Sequence, residues 1–148
     1  VAQNLESLQR EGITHIVNCA EDLDNCCEGE PALSILRFHV IEWQFAGDAT
    51  RVMQASTAEQ LGFLQGLFDF VDGALSNGAS VLVHCRAGIH RAGTTGVLLR
   101  MHKTGEGAEQ ALKSARAARP VINPEELCGP SGTLPRLLRM YETSLGLG

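Results

Sequence analysis

Apolar residues recur along the chain in two alternating patterns. Short runs rich in β-branched residues are typical of buried strands, and they lie at 13–17, 35–41 and 80–83. Stretches with helical spacing lie around Leu5 and Leu8, after Ser56, and at 92–101, 106–118 and 134–141. Because strands alternate with helices, we expect an α/β fold with a central, mostly parallel sheet flanked by helices.

The longest helix has the clearest signals at its two ends. Ser56 and Glu59 match a capping box, in which each residue satisfies an amide of the other, and Asn77-Gly78 ends the helical pattern. One face of this helix is expected to carry apolar residues into the core, namely Leu61, Leu64, Phe68, Val71 and Leu75.

The most informative stretch is His84-Cys85-Arg86-Ala87-Gly88-Ile89-His90-Arg91, between the strand at 80–83 and the helix at 92–101. A helix start presents unpaired amides and partial positive charge, which suits an anion. Gly88 allows a tight turn, and Arg91 offers a two-pronged donor to phosphate oxygens. The same positive field favours the thiolate form of Cys85, so the stretch predicts nucleophilic attack on phosphorus.

Composition narrows the class of protein. The chain has 148 residues, 44% of them apolar, and a net charge of −5. These values predict one globular domain over 1–148 and argue against nucleic acid as a partner. No apolar run approaches the roughly 18 residues of a membrane span. The chain begins with Val1 rather than methionine, so we expect it to be part of a longer protein.

The cysteines favour a reducing compartment. There are five, an odd number without metal-ligand spacing: Cys19, Cys26, Cys27, Cys85 and Cys128. We therefore expect free thiols and a cytoplasmic or nuclear location. Adjacent cysteines such as Cys26 and Cys27 are poorly placed for an ordinary bridge. The alternative is that one of the pair resolves an oxidised Cys85.

The stretch at 84–91 resembles the signature of the cysteine-dependent protein tyrosine phosphatases. Two flanking regions narrow the resemblance to small dual-specificity phosphatases, namely 4–20 and the Arg119-Pro120 segment that ends at Pro124. The resemblance implies a phosphatase fold that lacks the family's first strand. It also implies hydrolysis of phosphotyrosine and phosphoserine or phosphothreonine in proteins through a phosphocysteine, with no cofactor and no metal. Phosphate or sulfate is expected to bind in the site.

The resemblance also assigns roles to individual residues. Cys85 is the nucleophile and Arg91 holds the phosphoryl oxygens, while the amides of 86–91 complete the cradle. His84 is expected to brace the loop behind the nucleophile. Asn18, at the end of the first strand, matches the family asparagine that hydrogen-bonds the phosphate loop.

A carboxylic acid must protonate the leaving oxygen and then activate water. Asp48 is the candidate that we favour, because it follows the second strand at the place of the family's acid-bearing loop. It precedes Cys85 by 37 residues (85 − 48), slightly more than the family usually shows. Glu42 is the next candidate, and Asp72 the third because it falls within a helix.

One departure from the family and two charged residues leave the function open. Ala92 replaces the hydroxyl residue that normally helps the sulfur leave, which predicts slow turnover unless Thr94 or Thr95 compensates. Arg86 and His90 add positive charge at the rim, as a phosphoinositide phosphatase requires. The alternatives are therefore a phosphatase of phosphoinositides or other non-protein phosphates, or a phosphoprotein-binding module with very low turnover.

Overall fold

The computed structural model describes residues 4–125 and 129–147 of the chain. Within these residues lie three strands and five α-helices, in the following order: α1 Leu5–Arg10, β1 Ile13–Asn18, β2 Ser34–Arg37, α2 Thr57–Ser76, β3 Ser80–His84, α3 Arg91–Thr104, α4 Ala108–Ala118 and α5 Thr133–Ser144. Two 3₁₀ segments, Val40–Phe45 and Gly129–Ser131, complete the described secondary structure. The predicted α/β class is confirmed.

The described strands form a parallel sheet in the order β2-β1-β3. In the register of this sheet Asn18 stands opposite His84, and the Cys19 amide donates to the His84 carbonyl oxygen at 2.8 Å. Both strands thus end at the same edge of the sheet, where open α/β sheets collect their ligands. Among the described strands β1 lies in the middle.

The second strand is shorter than predicted. The apolar run 35–41 leaves the sheet after Arg37, and Val40 begins a 3₁₀ helix. In this 3₁₀ helix the side chains of Val40 and Trp43 are buried, and the Trp43 indole donates to the Thr133 carbonyl oxygen at 3.0 Å. The run is apolar because it contributes residues to the core first as a strand and then as a 3₁₀ helix. An apolar pattern alone does not show where the strand ends and the 3₁₀ helix begins.

Helix α2 begins as predicted. The Ser56 hydroxyl accepts from the Glu59 amide at 3.3 Å, and the Glu59 carboxylate accepts from the Ser56 amide at 2.8 Å. Three of the five residues expected on its core face are buried, namely Leu64, Phe68 and Val71. Leu61 is half-buried, and the prediction for Leu75 is wrong because that side chain is 44% exposed.

Helix α3 is the central support of the site. Its buried residues Val97, Leu98 and Met101 join a core that also contains Leu137 and Leu138 of α5. Ala111 of α4 is buried in the same cluster. The N-terminus of α3 is therefore fixed against the core, as an anion site at a helix start requires. Among the residues described, no helix is both long and apolar enough to cross a membrane.

Candidate active site

The connection between β3 and α3 encloses a cavity with a sulfur atom in its wall. The cavity has a volume of about 380 Å³ and is lined by Ile41, Cys85, Arg86, Ala87, His90 and Arg91. The Cys85 sulfur accepts hydrogen bonds from the amides of Gly88, at 3.2 Å, and Ala92, at 3.4 Å. Cys85 is half-buried, so its sulfur is neither sealed in the core nor displayed on a flat surface.

A segment distant in the chain determines which way the peptide groups of this loop face. Arg119 donates to the carbonyl oxygens of Gly88 at 3.2 Å and Ala87 at 3.3 Å. The Asn123 amide donates to the Ile89 carbonyl oxygen at 3.1 Å. Because the N–H and C=O of a peptide group point in opposite directions, these bonds turn the following amides toward the sulfur side. The Gly88 amide, bonded to Cys85, confirms this orientation at one position.

Sequence reasoning missed the role of this supporting segment. Arg119 was recognised only as part of an Arg-Pro segment, and no function was attached to its guanidinium. His90, expected at the rim, has its ring Nδ1 2.8 Å from the Asn123 carbonyl oxygen. The Arg-Pro pair was the available signal, because a proline after arginine ends α4 and leads the chain back across the loop.

Arg91 is oriented by two carboxylates. Its Nη1 donates to Glu21 at 2.6 Å and to Asp22 at 3.0 Å, and its side chain is only 19% exposed. Burial by itself lowers the pKa of Arg91, but the hydrogen bonds to Glu21 and Asp22 outweigh burial and raise it. Arg91 is therefore a permanent cation in the wall of the cavity.

Arg86 shares one of these carboxylates. Its Nη2 and Nε donate to the same Asp22 oxygen, at 2.8 and 3.2 Å. Asp22 therefore joins the two arginines of the loop, one on each of its oxygens. Sequence analysis assigned no role to Glu21 or Asp22, because nothing local connects them with residues 64 to 70 positions later.

The two expected supporting residues behave differently. His84 has a hydrogen bond with the Cys85 backbone, and burial is the main cause that lowers its pKa, so the ring is neutral near pH 7. The buried Asn18 side chain donates to the Leu23 carbonyl oxygen at 2.9 Å and accepts from the Ala20 amide at 3.0 Å. Among the residues described, the Asn18 side chain bonds only to the segment at 20–25, which carries the two carboxylates. Its expected bond to the phosphate loop is not formed.

The preferred acid candidate lies on an exposed turn. The Asp48 carboxylate accepts from the Thr50 hydroxyl at 2.6 Å and from the Thr50 amide at 3.0 Å. These bonds, the hydroxyl one first, lower the pKa of Asp48. Gly47 shapes the turn with a φ of +85°, and a Cβ atom there would lie 2.8 Å from Phe63. Asp48 is not among the residues that line the Cys85 cavity.

The other two acid candidates have partners of their own. Glu42 lies 3.6 Å from the His39 ring and directly follows Ile41, which lines the cavity. Asp72 lies 2.7 Å from the His102 ring and 3.3 Å from the Lys103 ammonium. His102 is roughly 16 Å along α3 from Arg91 at 1.5 Å per residue, so Asp72 is remote from the phosphate loop.

The remaining described cysteines are free thiols. Cys19 is fully buried beside Thr95, and burial is the main cause that raises its pKa to about 12. The sulfur atoms of Cys26 and Cys27 are 2.9 Å apart. Cys128 lies outside the described residues. Within residues 4–125 and 129–147, no group of three or more potential ligand side chains could hold a metal ion.

Comparison with known proteins agrees with this geometry. The family model described as the dual specificity phosphatase catalytic domain matches residues 1–129. The chain belongs to the dual specificity phosphatase family. The resemblance inferred from the motif at 84–91 is thereby confirmed, and so is the expectation of a cysteine-dependent phosphatase domain.

The relatives are much longer than this chain. Rat protein phosphatase Slingshot homolog 3 is 30% identical over 146 residues, which are 99% of this chain and 19% of the relative. Human Slingshot homolog 2 is 27% identical over 146 residues, which are 99% of this chain and 9% of the relative. Among solved structures, human DUSP28 superposes with a TM-score of 0.70 at 23% identity, over 98% of this chain and 84% of that one.

Proposed function

We propose that the protein is a phosphatase of phosphotyrosine and of phosphoserine or phosphothreonine in proteins, and that it acts through a phosphocysteine intermediate. The observation that carries the proposal is a cavity of about 380 Å³ that both Cys85 and Arg91 line, with two loop amides bonded to the Cys85 sulfur. A phosphoryl group needs this combination of nucleophile, amide donors and cation.

In the first step the Cys85 thiolate attacks phosphorus, and the bond from phosphorus to the ester oxygen breaks. Arg91 and the inward amides neutralise the charge that spreads over the three equatorial oxygens. A proton passes from the general acid to the departing oxygen, which leaves as the hydroxyl of tyrosine, serine or threonine. The enzyme is then left with phosphorus bonded to sulfur and with the acid deprotonated.

In the second step water attacks phosphorus and gives its proton to the same carboxylate. The phosphorus–sulfur bond breaks, Cys85 leaves as the thiolate and inorganic phosphate is released. Asp48 is our proposed acid and base. Its turn, with consecutive left-handed residues at Ala46 and Gly47, must bring the carboxylate toward the cavity when substrate is bound.

Ala92 makes the second step the slower one. Its amide reaches the Cys85 sulfur at 3.4 Å, but its side chain has no hydroxyl to stabilise the departing thiolate. The Thr95 hydroxyl donates to the Arg91 carbonyl oxygen at 2.9 Å, and the Thr94 hydroxyl is buried without a partner among the described residues. We therefore propose a phosphocysteine that accumulates.

The same observation favours a second candidate function, a phosphoprotein-binding module with very low turnover. Retention of Cys85 and Arg91 in one cavity supports the enzyme over this binder. The other alternative, a phosphoinositide phosphatase, needs Arg86 as a second anion donor. The Arg86 contact with Asp22 argues against that use.

The decisive experiment measures release of phosphate from a phosphotyrosine peptide and a phosphothreonine peptide, in parallel with a soluble phosphoinositide. We expect hydrolysis of both peptides by the parent protein, none by Cys85→Ser, and parent-like rates for the control Cys26→Ser. Orthophosphate should inhibit competitively. Peptide binding without a burst or steady release would establish the binding module, and preference for the phosphoinositide would establish the lipid phosphatase.

A further inference from the structure

The two arginines of the phosphate loop use different nitrogens of their guanidinium groups to contact the carboxylates. A guanidinium grips an oxyanion best through two neighbouring nitrogens, for example Nε with Nη2. In Arg86 these two nitrogens both donate to Asp22. In Arg91 only Nη1 is used, by Glu21 and Asp22, and among the described residues its Nε and Nη2 have no partner. Asp22 therefore occupies the phosphate-binding edge of Arg86 and leaves that of Arg91 open.

We propose that Asp22 is a specificity-determining residue that withholds Arg86 from substrate and restricts the site to substrates with a single phosphate at the cavity. This inference rests on the proposed function and narrows its substrate class. A substrate with a second phosphate beside the first would need Arg86, and it would meet the Asp22 carboxylate instead.

The position of the carboxylates supports this role. Neither Glu21 nor Asp22 lines the Cys85 cavity, so neither takes the place of the phosphate that binds beside the sulfur. The pair of Arg86 and Asp22 is exposed, at 64% and 50% of the side chains, and exposed pairs contribute little to stability. The Arg86–Asp22 ion pair therefore matters for the charge that a substrate meets, not for the stability of the fold.

The charge of Asp22 persists through the range of an assay. The hydrogen bonds from Arg86, and after them those from Arg91, lower the pKa of Asp22 to about 2. Three further carboxylates follow in the same loop, at Asp24, Glu28 and Glu30, and residues 19–36 contain no lysine or arginine. The nearby Arg37 Nη2 already donates to the carbonyl oxygens of Ala20, Glu21 and Leu23. A second phosphate beside this loop therefore meets mostly negative charge.

The test compares a phosphotyrosine peptide with the same peptide carrying an added phosphothreonine two residues before the tyrosine. The quantity measured is the selectivity ratio, kcat/KM for the double phosphopeptide divided by kcat/KM for the single one. We expect a ratio at or below one for the parent. Asp22→Asn should raise the ratio about fivefold, the effect of roughly one charge-assisted hydrogen bond at an exposed rim.

Three further proteins make the test specific. Asp24→Asn removes the same charge two residues away without touching an arginine, and it should change the ratio less than about twofold, as expected of an exposed, screened charge. Arg86→Gln alone should also leave the ratio unchanged, because its phosphate-binding edge is already occupied. In the double variant Asp22→Asn with Arg86→Gln, the gain should disappear.

A parent ratio well above one, no gain in Asp22→Asn, an equal gain in Asp24→Asn, or a gain that survives Arg86→Gln would each overturn the inference. The same peptides are titrated into the Cys85→Ser forms by calorimetry, which separates recognition from chemistry. Binding with the expected ratios but no hydrolysis by the parent would overturn the proposed function alone. Failure of both peptides to bind would overturn both.

Discussion

Arg119 Nε donates a hydrogen bond to the Gly88 carbonyl oxygen at 3.2 Å, across 31 positions of the chain. The same guanidinium limits the space at Gly88, because a Cβ atom there would lie 3.1 Å from Arg119 Nη2. Gly88 has a φ of +69°, a backbone conformation that residues with a side chain rarely adopt. The phosphate loop thus depends on a glycine for two reasons, its backbone conformation and its contact with Arg119.

The variant Gly88→Ala should lower kcat/KM for an aryl phosphate by about tenfold or more, because a displaced peptide no longer aims its amide at the nucleophile. The matched control is Gly78→Ala. Gly78 has a φ of +73°, but a Cβ atom there would meet nothing within 4 Å, so the alanine brings the same backbone strain without a contact. Both variants should lose roughly 1 kcal/mol of unfolding free energy in urea titrations. Equal activity losses in the two would contradict the role of the Arg119 contact.

The part of the site that sequence analysis predicted is the part in which neighbours in the chain are neighbours in space. The strand, turn and helix around Cys85 follow one another directly, and the capping box of Ser56 and Glu59 spans four residues. Local propensities determine such elements, so a pattern of residue types suffices to recognise them.

The supporting contacts were not predicted because they join segments far apart in the chain. Glu21 reaches Arg91 across 70 positions, and Asn18 turns toward Leu23 and Asn25 instead of the phosphate loop. An acidic turn has the same composition whether it faces water or two arginines. The parallel pairing of β1 with β3 brings the ends of both strands to one edge of the sheet. This pairing places the acidic turn after β1 beside the arginines of the phosphate loop.

Introducing a hydroxyl with Ala92→Ser should accelerate the second chemical step. A serine hydroxyl next to the amide that already faces the Cys85 sulfur gives the departing thiolate another donor. We expect the steady-state kcat to rise about tenfold and the burst of phenol seen by rapid quench to shrink. Ala92→Gly, which lacks a hydroxyl, should keep the burst. An unchanged burst in Ala92→Ser would show that loss of the sulfur is not rate-limiting.

Removal of the proposed acid should depend on the leaving group. Asp48→Asn should reduce kcat/KM for phenyl phosphate by about a hundredfold, and less for para-nitrophenyl phosphate, whose weakly basic phenolate needs little protonation. The Thr50 hydrogen bonds lower the pKa of Asp48, so its protonated fraction increases as pH falls and the acid-dependent rate should be highest on the acid side. In the pH–rate profile of Asp48→Asn the basic limb should disappear.

Glu42→Gln is the matched control for Asp48, because Glu42 is the other carboxylate in this part of the chain. Its profile should keep the basic limb. If the limb survives in Asp48→Asn and disappears in Glu42→Gln, the acid is Glu42. Asp72→Asn should change neither profile, since its partners are His102 and Lys103 at the far end of α3.

The capping box of α2 should make stability depend on pH in a defined window. The Arg51 guanidinium, followed by the Ser56 amide and hydroxyl, lowers the pKa of Glu59 from 4.5 to about 2. A carboxylate with a lowered pKa in the folded state stabilises that state above its unfolded pKa, and this contribution is lost as pH falls through the folded pKa.

Glu59→Gln should therefore reduce Tm at pH 7 by about 2–4 °C, and the difference from the parent should shrink below pH 4.5 and vanish near pH 2. The control is Glu109→Gln, in the first turn of α4 and exposed, which should leave Tm at pH 7 nearly unchanged. A difference between Glu59→Gln and the parent that stays constant down to pH 2 would mean that the packing of the Glu59 side chain, not its charge, stabilises the start of α2.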